Sequence, residues 1–180
     1  GASTMTDVLA FNTEWRLKSD TGEYVPARVV TRIQGAQTIS VTGLPLESDY
    51  FLSDHLKGTV IPGTPGQTEI KVLVTSKSYP TPTSLGIITL PANGGAAGFS
   101  GPYQINGLKP EAIYNEIAVS SINGKVTAYL AGGDDAIRGV DLTPGLTTPG
   151  TTEPLTSSAI VNISSHAEAI RHVNSVNGLP

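Results

Sequence analysis

The sequence contains no cysteine and has few charged side chains among its 180 residues. The lack of cysteine excludes disulfides, thiol catalysis and cysteine-ligated zinc, and it leaves the redox compartment undetermined. Charged residues make up 14% of the chain, against ~25% in ordinary soluble domains. The net charge is -4 and the chain has no Lys/Arg cluster, so the sequence argues against nucleic acid as a partner.

Long apolar runs are also missing. No stretch approaches the ~20 residues that a membrane-spanning helix needs, so we predict no membrane insertion. The first residues, Gly-Ala-Ser-Thr-Met, lack the basic and apolar regions of a signal peptide. We interpret residues 1–10 as a tag remnant or lead-in, or as the start of a piece cut from a longer chain.

Glycine and proline are abundant, with 20 and 13 residues, and threonine is frequent. This composition favours short strands separated by many turns, because glycine and proline punctuate the backbone while threonine tolerates the pleated conformation. Stretches with a strand-like pattern lie at 14–18, 24–33, 38–42, 50–52, 69–76, 85–90, 103–105, 114–120 and 125–131. We therefore predict an all-β domain over residues 11–132, built as an antiparallel jelly-roll or Greek-key sandwich.

Two dipeptides, Thr21-Gly22 and Asn123-Gly124, predict hairpin turns. The second is the stronger signal, because Asn-Gly accepts the positive φ values of a two-residue turn. We expect Ile122 and Val126 to pair across it.

A short pattern of Gly, Leu, Glu and Tyr occurs twice, at 43–50 and at 107–114. One interpretation is a turn followed by a tyrosine, Tyr50 or Tyr114, whose hydroxyl bonds back to the turn backbone, as in the tyrosine corner of Greek-key sandwiches. The other is two similar turns that arose by chance. Both agree with an antiparallel β topology.

The amino-acid composition changes after Gly132. Residues 143–158 are rich in Pro, Thr, Gly and Ser and too poor in large apolar side chains to form a core, so we predict an extended arm or linker over 133–160. Ser165 to Glu168 match a capping box, and apolar residues then recur at helical spacing. The sequence thus predicts a short helical tail over 161–180, which needs a surface to dock on.

No pattern of catalytic or metal-ligating residues is recognisable. His55, His166 and His172 have no metal-binding spacing. Asp134-Asp135 with Asp141 could suggest calcium, but the loop lacks the ligand pattern of an EF-hand, and a solvated turn is the better interpretation. Ser76 and Lys77 are adjacent in a predicted strand and point to opposite faces, so they cannot act as a nucleophile pair. We predict no enzyme activity, no metal and no cofactor.

Several short blocks occur in an informative order: Val29-Val30-Thr31-Arg32, Val60-Ile61-Pro62, the segment 70–78 (Ile-Lys-Val-Leu-Val-Thr-Ser-Lys-Ser) and Leu108-Lys109-Pro110. Together they resemble the projection domain of the birnavirus major capsid protein. The likeness covers about residues 14–131, and the block that ends in Val-Thr-Ser-Lys-Ser is its most specific part.

The resemblance implies a jelly-roll domain that stands on a shell domain, forms homotrimers on the virion surface and uses loop tips for attachment to a host-cell receptor, protein or glycan. By matching position, the outer loops are those around Thr21-Gly22, 34–37, 79–84 and 121–125. The candidate receptor-binding residues are Gln34, Gln37, Tyr79, Thr81, Thr83, Ser121, Asn123 and Lys125. From the residues alone, 79–83 is either a stiffened polar tip or an ordinary proline-rich connector.

Two further functions compete with a viral structural protein. A fibronectin type III or immunoglobulin-like module of a bacterial or phage surface protein is favoured by the segment 107–114, and would be a sandwich of about seven strands. A hydrolase or metal enzyme would need a polar pocket that the sequence gives no reason to expect.

Overall fold

The computed structural model describes residues 7–63, 69–77, 81–92, 94–114, 116–134, 136–147 and 154–162. The strands are β1 (Asp7–Leu17), β2 (Tyr24–Gln34), β3 (Gln37–Ser40), β4 (Lys57–Ile61), β5 (Glu69–Ser76), β6 (Ser84–Pro91), β7 (Gly98–Tyr103), β8 (Ile105–Asn106), β9 (Glu116–Ile122), β10 (Lys125–Ala131), β11 (Ala136–Asp141) and β12 (Leu155–Asn162). Two short helical turns are α1 (Asp49–Leu52) and α2 (Thr143–Thr147).

The strands form three sheets. We call β1-β2-β3 the hairpin sheet, β4-β5-β6-β7 the middle sheet and β8-β12-β11-β10-β9 the outer sheet. All pairings are antiparallel except the short one between β8 and β12. The prediction of an all-β antiparallel sandwich is confirmed. The jelly-roll connectivity is not confirmed, because neighbours within a sheet are mostly consecutive in the chain.

The middle sheet is covered on both faces, which explains its sequence. Leu73 and Ile87 face one core, shared with Leu130 and Val140 of the outer sheet. Val74 and Ile88 face a second core, shared with the hairpin sheet and α1. Strands buried on both faces are continuously apolar rather than alternating, and β5 and β6 are buried along most of their length.

Two segments after Gly132 belong to the outer sheet, so the prediction of an arm over 133–160 is wrong for 136–141 and 155–160. Strand β11 pairs with both β10 and β12. The reason is that one face of this sheet meets solvent, so Thr and Ser serve there as well as large apolar residues. Residues 148–153 lie outside the described residues.

The two ends of the chain also depart from the predicted boundaries. Residues 7–10, assigned to a lead-in, are part of β1, whereas 1–6 lie outside the described residues. Residues 161 and 162 end β12. The rest of the predicted helical tail, including His166 and His172, lies outside the described residues.

The predicted strand at 50–52 is wrong, since these residues form the helical turn α1. Tyr50 and Phe51 are buried against Phe99, with ring centroids 5.0–5.4 Å from it. Two hydrogen bonds hold Tyr50 against β5. Its hydroxyl donates to the Val74 carbonyl oxygen at 2.6 Å, and its carbonyl oxygen accepts from Ser76 Oγ at 2.6 Å. The side chains of Tyr50 and Phe51 therefore fill a core from a helical backbone.

Candidate functional site

The predicted tips lie at two opposite ends of the sandwich. Strand β5 runs from Glu69, which pairs with Pro91, to Ser76, which pairs with Ser84. We call the end of the sandwich at Glu69 and Pro91 the Pro91 end, and the end at Ser76 and Ser84, where Lys77 follows β5, the Lys77 end. At 3.3–3.4 Å per residue, they are roughly 23 Å apart. The candidate residues that the structure describes thus cannot form one continuous contact surface.

The Pro91 end carries two tight turns. The turn after Gln34 is a two-residue hairpin, because Gln34 pairs directly with Gln37, and Arg32 beside it donates to the Pro91 carbonyl oxygen at 2.7 Å. The hairpin β9–β10 also reaches this end, where Ser121 and Gly124 line a small cavity with Ile61 and Lys71. The structure therefore brings two of the predicted tips to the same end.

The β9–β10 turn has the predicted geometry. Asn123 has φ 52° and Gly124 has φ 77°, which is the left-handed pair that a type I′ turn requires. Ile122 pairs with Lys125, and Val126 pairs with Ser121, so the expected pairing of Ile122 with Val126 is wrong by one residue. Ser121, Asn123 and Lys125 are all exposed.

The candidates at the Lys77 end differ from one another. Thr81 is exposed, but Thr83 is only 1% exposed, so its side chain cannot reach a partner. Tyr79 lies outside the described residues. Lys77 is buried and its Nζ donates to the carbonyl oxygens of Thr81 and Pro110, at 3.0 and 2.6 Å, which fixes this loop against the segment before β9.

A larger exposed feature at the Lys77 end was missed by the sequence analysis. Arg28 of β2 donates to the carbonyl oxygens of Phe51 and Ser53, and Ser53 Oγ donates to the Lys77 carbonyl oxygen. Strand β2 begins at Tyr24, four residues before Arg28, so the hairpin β1–β2 extends roughly 13 Å past this contact. We call its projecting part, residues 12–26, the hairpin arm.

One face of the hairpin arm is apolar. Trp15 pairs with Pro26, and Leu17 pairs with Tyr24. Trp15 and Tyr24 are each 67% exposed, and Leu17 is 58% exposed. Because side chains alternate along a strand, this face continues the one on which Leu9 and Phe11 pack against the core. The arm thus carries a core-like face beyond the core.

The sequence contained a signal for this feature. Leu9, Phe11, Trp15 and Leu17 share one face at period two, which indicates a long strand with an apolar face. What the sequence cannot show is how far that strand overhangs the layer beneath it.

The outer face of the outer sheet carries a groove of about 420 Å³. Gly139, which has no side chain, lies in the floor of the groove and pairs with Tyr129 on one side and Ser158 on the other. The predicted tip residue Lys125 lines it and lies 3.7 Å from Asp141. Thr143 and Lys125 together outweigh the opposing effect of burial and lower the pKa of Asp141.

A buried polar network fixes the connection before β9. The Tyr114 hydroxyl accepts the Lys109 N–H at 3.3 Å and donates to Asp134 Oδ2 at 2.9 Å. Arg138 donates to the same oxygen at 2.6 Å. The predicted tyrosine corner is therefore confirmed at Tyr114, but not at Tyr50, whose hydroxyl bonds to β5.

This network also corrects the interpretation of Asp134 as part of a solvated turn. Its side chain is fully buried. Burial alone would raise the pKa of Asp134, but hydrogen bonds from Arg138, Tyr114 and the Ala136 N–H outweigh it, and the pKa lies below its usual value. Burial raises the pKa of Tyr114, and the Asp134 carboxylate raises the pKa of Arg138.

Both carboxylate oxygens of Asp134 accept hydrogen bonds from the protein itself, Oδ1 from the Ala136 N–H and Oδ2 from Tyr114 and Arg138. Across the described ranges as a whole, no group of three His, Asp or Glu side chains is placed to hold a metal ion. None of the helices described is long and apolar enough to cross a membrane.

Comparison of the chain with models of protein families, with the sequences of curated proteins and with solved structures finds no match in any of the three.

Proposed function

We propose that this chain is a surface domain of a viral particle, which forms part of the particle's exterior and contacts the host cell through its hairpin tips. The observation that carries the proposal is the Pro91 end, where two rigid, exposed two-residue turns stand on a sandwich with a doubly covered middle sheet. Rigid tips on a packed β scaffold lose little entropy when they bind, which favours recognition.

The sequence resemblance to the birnavirus projection domain supports the same function. Residues 70–76 of its most specific block lie in β5 of the middle sheet, and the block 29–32 lies in β2. These are positions that build the scaffold, so the likeness concerns the fold more than the tips. The proposal includes the jelly-roll domain, the homotrimer and the virion-surface location that the resemblance implies.

Within this proposal the contact residues are Gln37, Ser121, Asn123 and Lys125, with Gln34 half-buried beside them. The partner is a host-cell receptor, either a protein or a glycan. Thr81 lies at the opposite end and belongs to a separate surface.

A second candidate function is a fibronectin type III or immunoglobulin-like module of a bacterial or phage surface protein. The contact of the Tyr114 hydroxyl with the backbone N–H of Lys109 favours it, because such a tyrosine corner is a hallmark of these sandwiches.

One labelling experiment separates the two functions. An antibody raised against the folded domain is applied to particles and to intact cells from the source of the protein, and both are imaged by electron microscopy. Label on the outside of particles supports the viral proposal. Label confined to a bacterial cell surface contradicts it and supports the module, and label on neither contradicts both.

The tips are tested by competition. The soluble domain should block attachment of particles to host cells, and a variant with Asn123→Ala and Lys125→Ala should block it at least tenfold less well. The matched control is Lys18→Ala with Ser19→Ala, which likewise removes one lysine charge and one neutral polar side chain, but from the hairpin arm. Equal competition by both variants would show that the Pro91 end does not contact the receptor.

A further inference from the structure

Strand β1 has a free edge along the hairpin arm. It lies at the margin of the hairpin sheet, and among the described residues it pairs only with β2. An edge strand presents a row of backbone N–H and C=O groups that can pair with another strand. This one is 11 residues long and contains no proline. The edge therefore lacks the usual protection of a short length or a proline.

The apolar face of the arm adjoins this free edge. Trp15 and Leu17 lie on β1 itself, with Pro26 and Tyr24 opposite them on β2. An exposed apolar patch next to an open edge indicates a surface that is covered by another strand. The other face of β1 is polar, with Glu14 and Arg16 3.7 Å apart and both more than half exposed.

We propose that two copies of this chain pair antiparallel along β1, with Trp15 of each copy on the two-fold axis. In this register Glu14 lies opposite Arg16 of the second copy and Arg16 lies opposite its Glu14, which gives two ion pairs on the polar face. On the apolar face the two Trp15 side chains meet, flanked by the two Pro26 side chains. The result is one continuous sheet, β2-β1-β1-β2, with a single apolar stripe.

Charge complementarity selects the second copy as the partner and selects this register. Placing Glu14 on the axis would oppose two carboxylates, and placing Arg16 there would oppose two guanidinium groups, and like charges directly opposite each other are destabilising. With Thr13 on the axis, Glu14 would face Asn12 and Arg16 would face Ala10. Only the Trp15 register puts both charges opposite their complements.

The geometry leaves room for both bodies. The paired segment is 12–18, which lies within the exposed hairpin arm, whereas β1 contacts its own core at Leu9 and Phe11. Because the two strands run antiparallel, the two bodies lie on opposite sides of the axis along the strand direction. Isologous pairing of this kind gives a closed dimer. The inference does not depend on the viral proposal, since it concerns the arm and not the tips.

Introduced cysteines test the register directly, because the chain has none of its own. Thr13 lies opposite Leu17 of the second copy, so an oxidised mixture of Thr13→Cys and Leu17→Cys proteins should form a disulfide-linked heterodimer in high yield. Thr13→Cys alone should cross-link weakly, because its two cysteines would be roughly 13 Å apart. Equal yields in the two samples would overturn the register, and no cross-linking in the mixture would overturn the pairing.

A charge reversal tests the ion pairs. Glu14→Arg should weaken self-association at least tenfold, measured by light scattering over a concentration series, and Glu14→Arg with Arg16→Glu should restore it. The expected masses are 18.6 kDa for the single chain and twice that for the pair. Failure of the double variant to recover, while its thermal unfolding matches that of the parent, would contradict the proposal.

The sole tryptophan supplies a third readout. Trp15 emission should shift to shorter wavelength as concentration rises, and Leu17→Glu should abolish that shift. Val60→Glu is the matched control, since Val60 is 57% exposed on β4, away from the arm. If trimers form through another surface, the cross-link and the emission shift still report on β1 alone, so either proposal can fail while the other stands.

Discussion

At the scale of single residues, the Asp134 carboxylate is the centre of a buried hydrogen-bond network. It accepts from Tyr114, Arg138 and the Ala136 backbone, and its side chain has no solvent contact. Gly133 beside it is required for a different reason: a Cβ there would lie 2.8 Å from the Tyr114 ring. The network therefore depends on both the charge and the small size of adjacent residues.

Asp134→Asn should destabilise the fold strongly. Removing one member of a buried ion pair typically costs about 3–5 kcal/mol, because the remaining charge loses its partner. Urea unfolding at pH 7 measures the loss. Asp54→Asn, at an exposed carboxylate, is the control and should change the free energy of unfolding by less than about 0.5 kcal/mol.

Asp134→Asn should also change how the stability of the fold depends on acid pH. The pKa of Asp134 is lower in the folded protein than its usual 3.8. Its contribution to stability is therefore present above the unfolded-state pKa, and it is lost as the pH falls through the lower folded-state value. Unfolding free energies measured from pH 6 down to pH 2 should fall less steeply for Asp134→Asn than for the parent. Parallel curves would contradict this role.

At the scale of elements, the β9–β10 hairpin depends on its turn residues. Gly124 has φ 77° with open space around it, so a side chain there meets backbone strain but no neighbour. Gly124→Ala should cost about 1–2 kcal/mol. The denaturant midpoint should shift while the m-value stays constant. Asn123→Gly is the control and should lie within about 0.5 kcal/mol of the parent, because glycine tolerates the left-handed conformation.

The elements that could be predicted from sequence are those with a strong local pattern. Strand β5 has the predicted bounds, and the Asn123-Gly124 hairpin has the predicted turn. Strand β4 was missed because it begins Lys-Gly-Thr, and β11 because Gly139 interrupts it. Strand β4 forms because β5 pairs with it, and β11 forms between β10 and β12. These pairings are tertiary context that a single segment does not carry.

Only part of the candidate site could be predicted from the sequence. The turn tips follow from their dipeptides, but their division between two ends depends on the direction of each strand in the assembled sheets. The exposure of Trp15 and Tyr24 depends on the overhang of one layer over the next. Thr83 belongs to the loop 79–84 that the resemblance places at a tip, yet its side chain is only 1% exposed, just before the start of β6 at Ser84.

At the scale of the whole molecule, the middle sheet joins two cores. Leu73 and Ile88 are both fully buried, the first facing the outer sheet and the second facing the hairpin sheet and α1. Leu73→Ala and Ile88→Ala should each cost about 2–5 kcal/mol. We expect a single unfolding transition for both, since neither core can be lost without the sheet that they share.

Far-UV and near-UV circular dichroism over one urea titration provide the check. Coincident curves from the two signals support the shared sheet. Two separated transitions in either variant would show instead that the hairpin sheet unfolds on its own. Val60→Ala, on an exposed position of β4, is the control and should leave the midpoint nearly unchanged.

Because the middle sheet is covered on both faces, β6 is exposed while the protein is being synthesised. Strand β6 reads Ser-Leu-Gly-Ile-Ile-Thr-Leu-Pro, with no charged side chain, and uncharged, β-prone segments of this length are the ones that aggregate when exposed. The ribosome makes the chain from its N-terminus onward, so the N-terminal strands are available before the C-terminal ones. The hairpin sheet precedes β6 and can shield one face at once, but the outer sheet consists mostly of residues 116–162. The second face of β6 therefore stays open until the outer sheet's strands have left the ribosome, and we expect β6 to be most prone to aggregation during this interval.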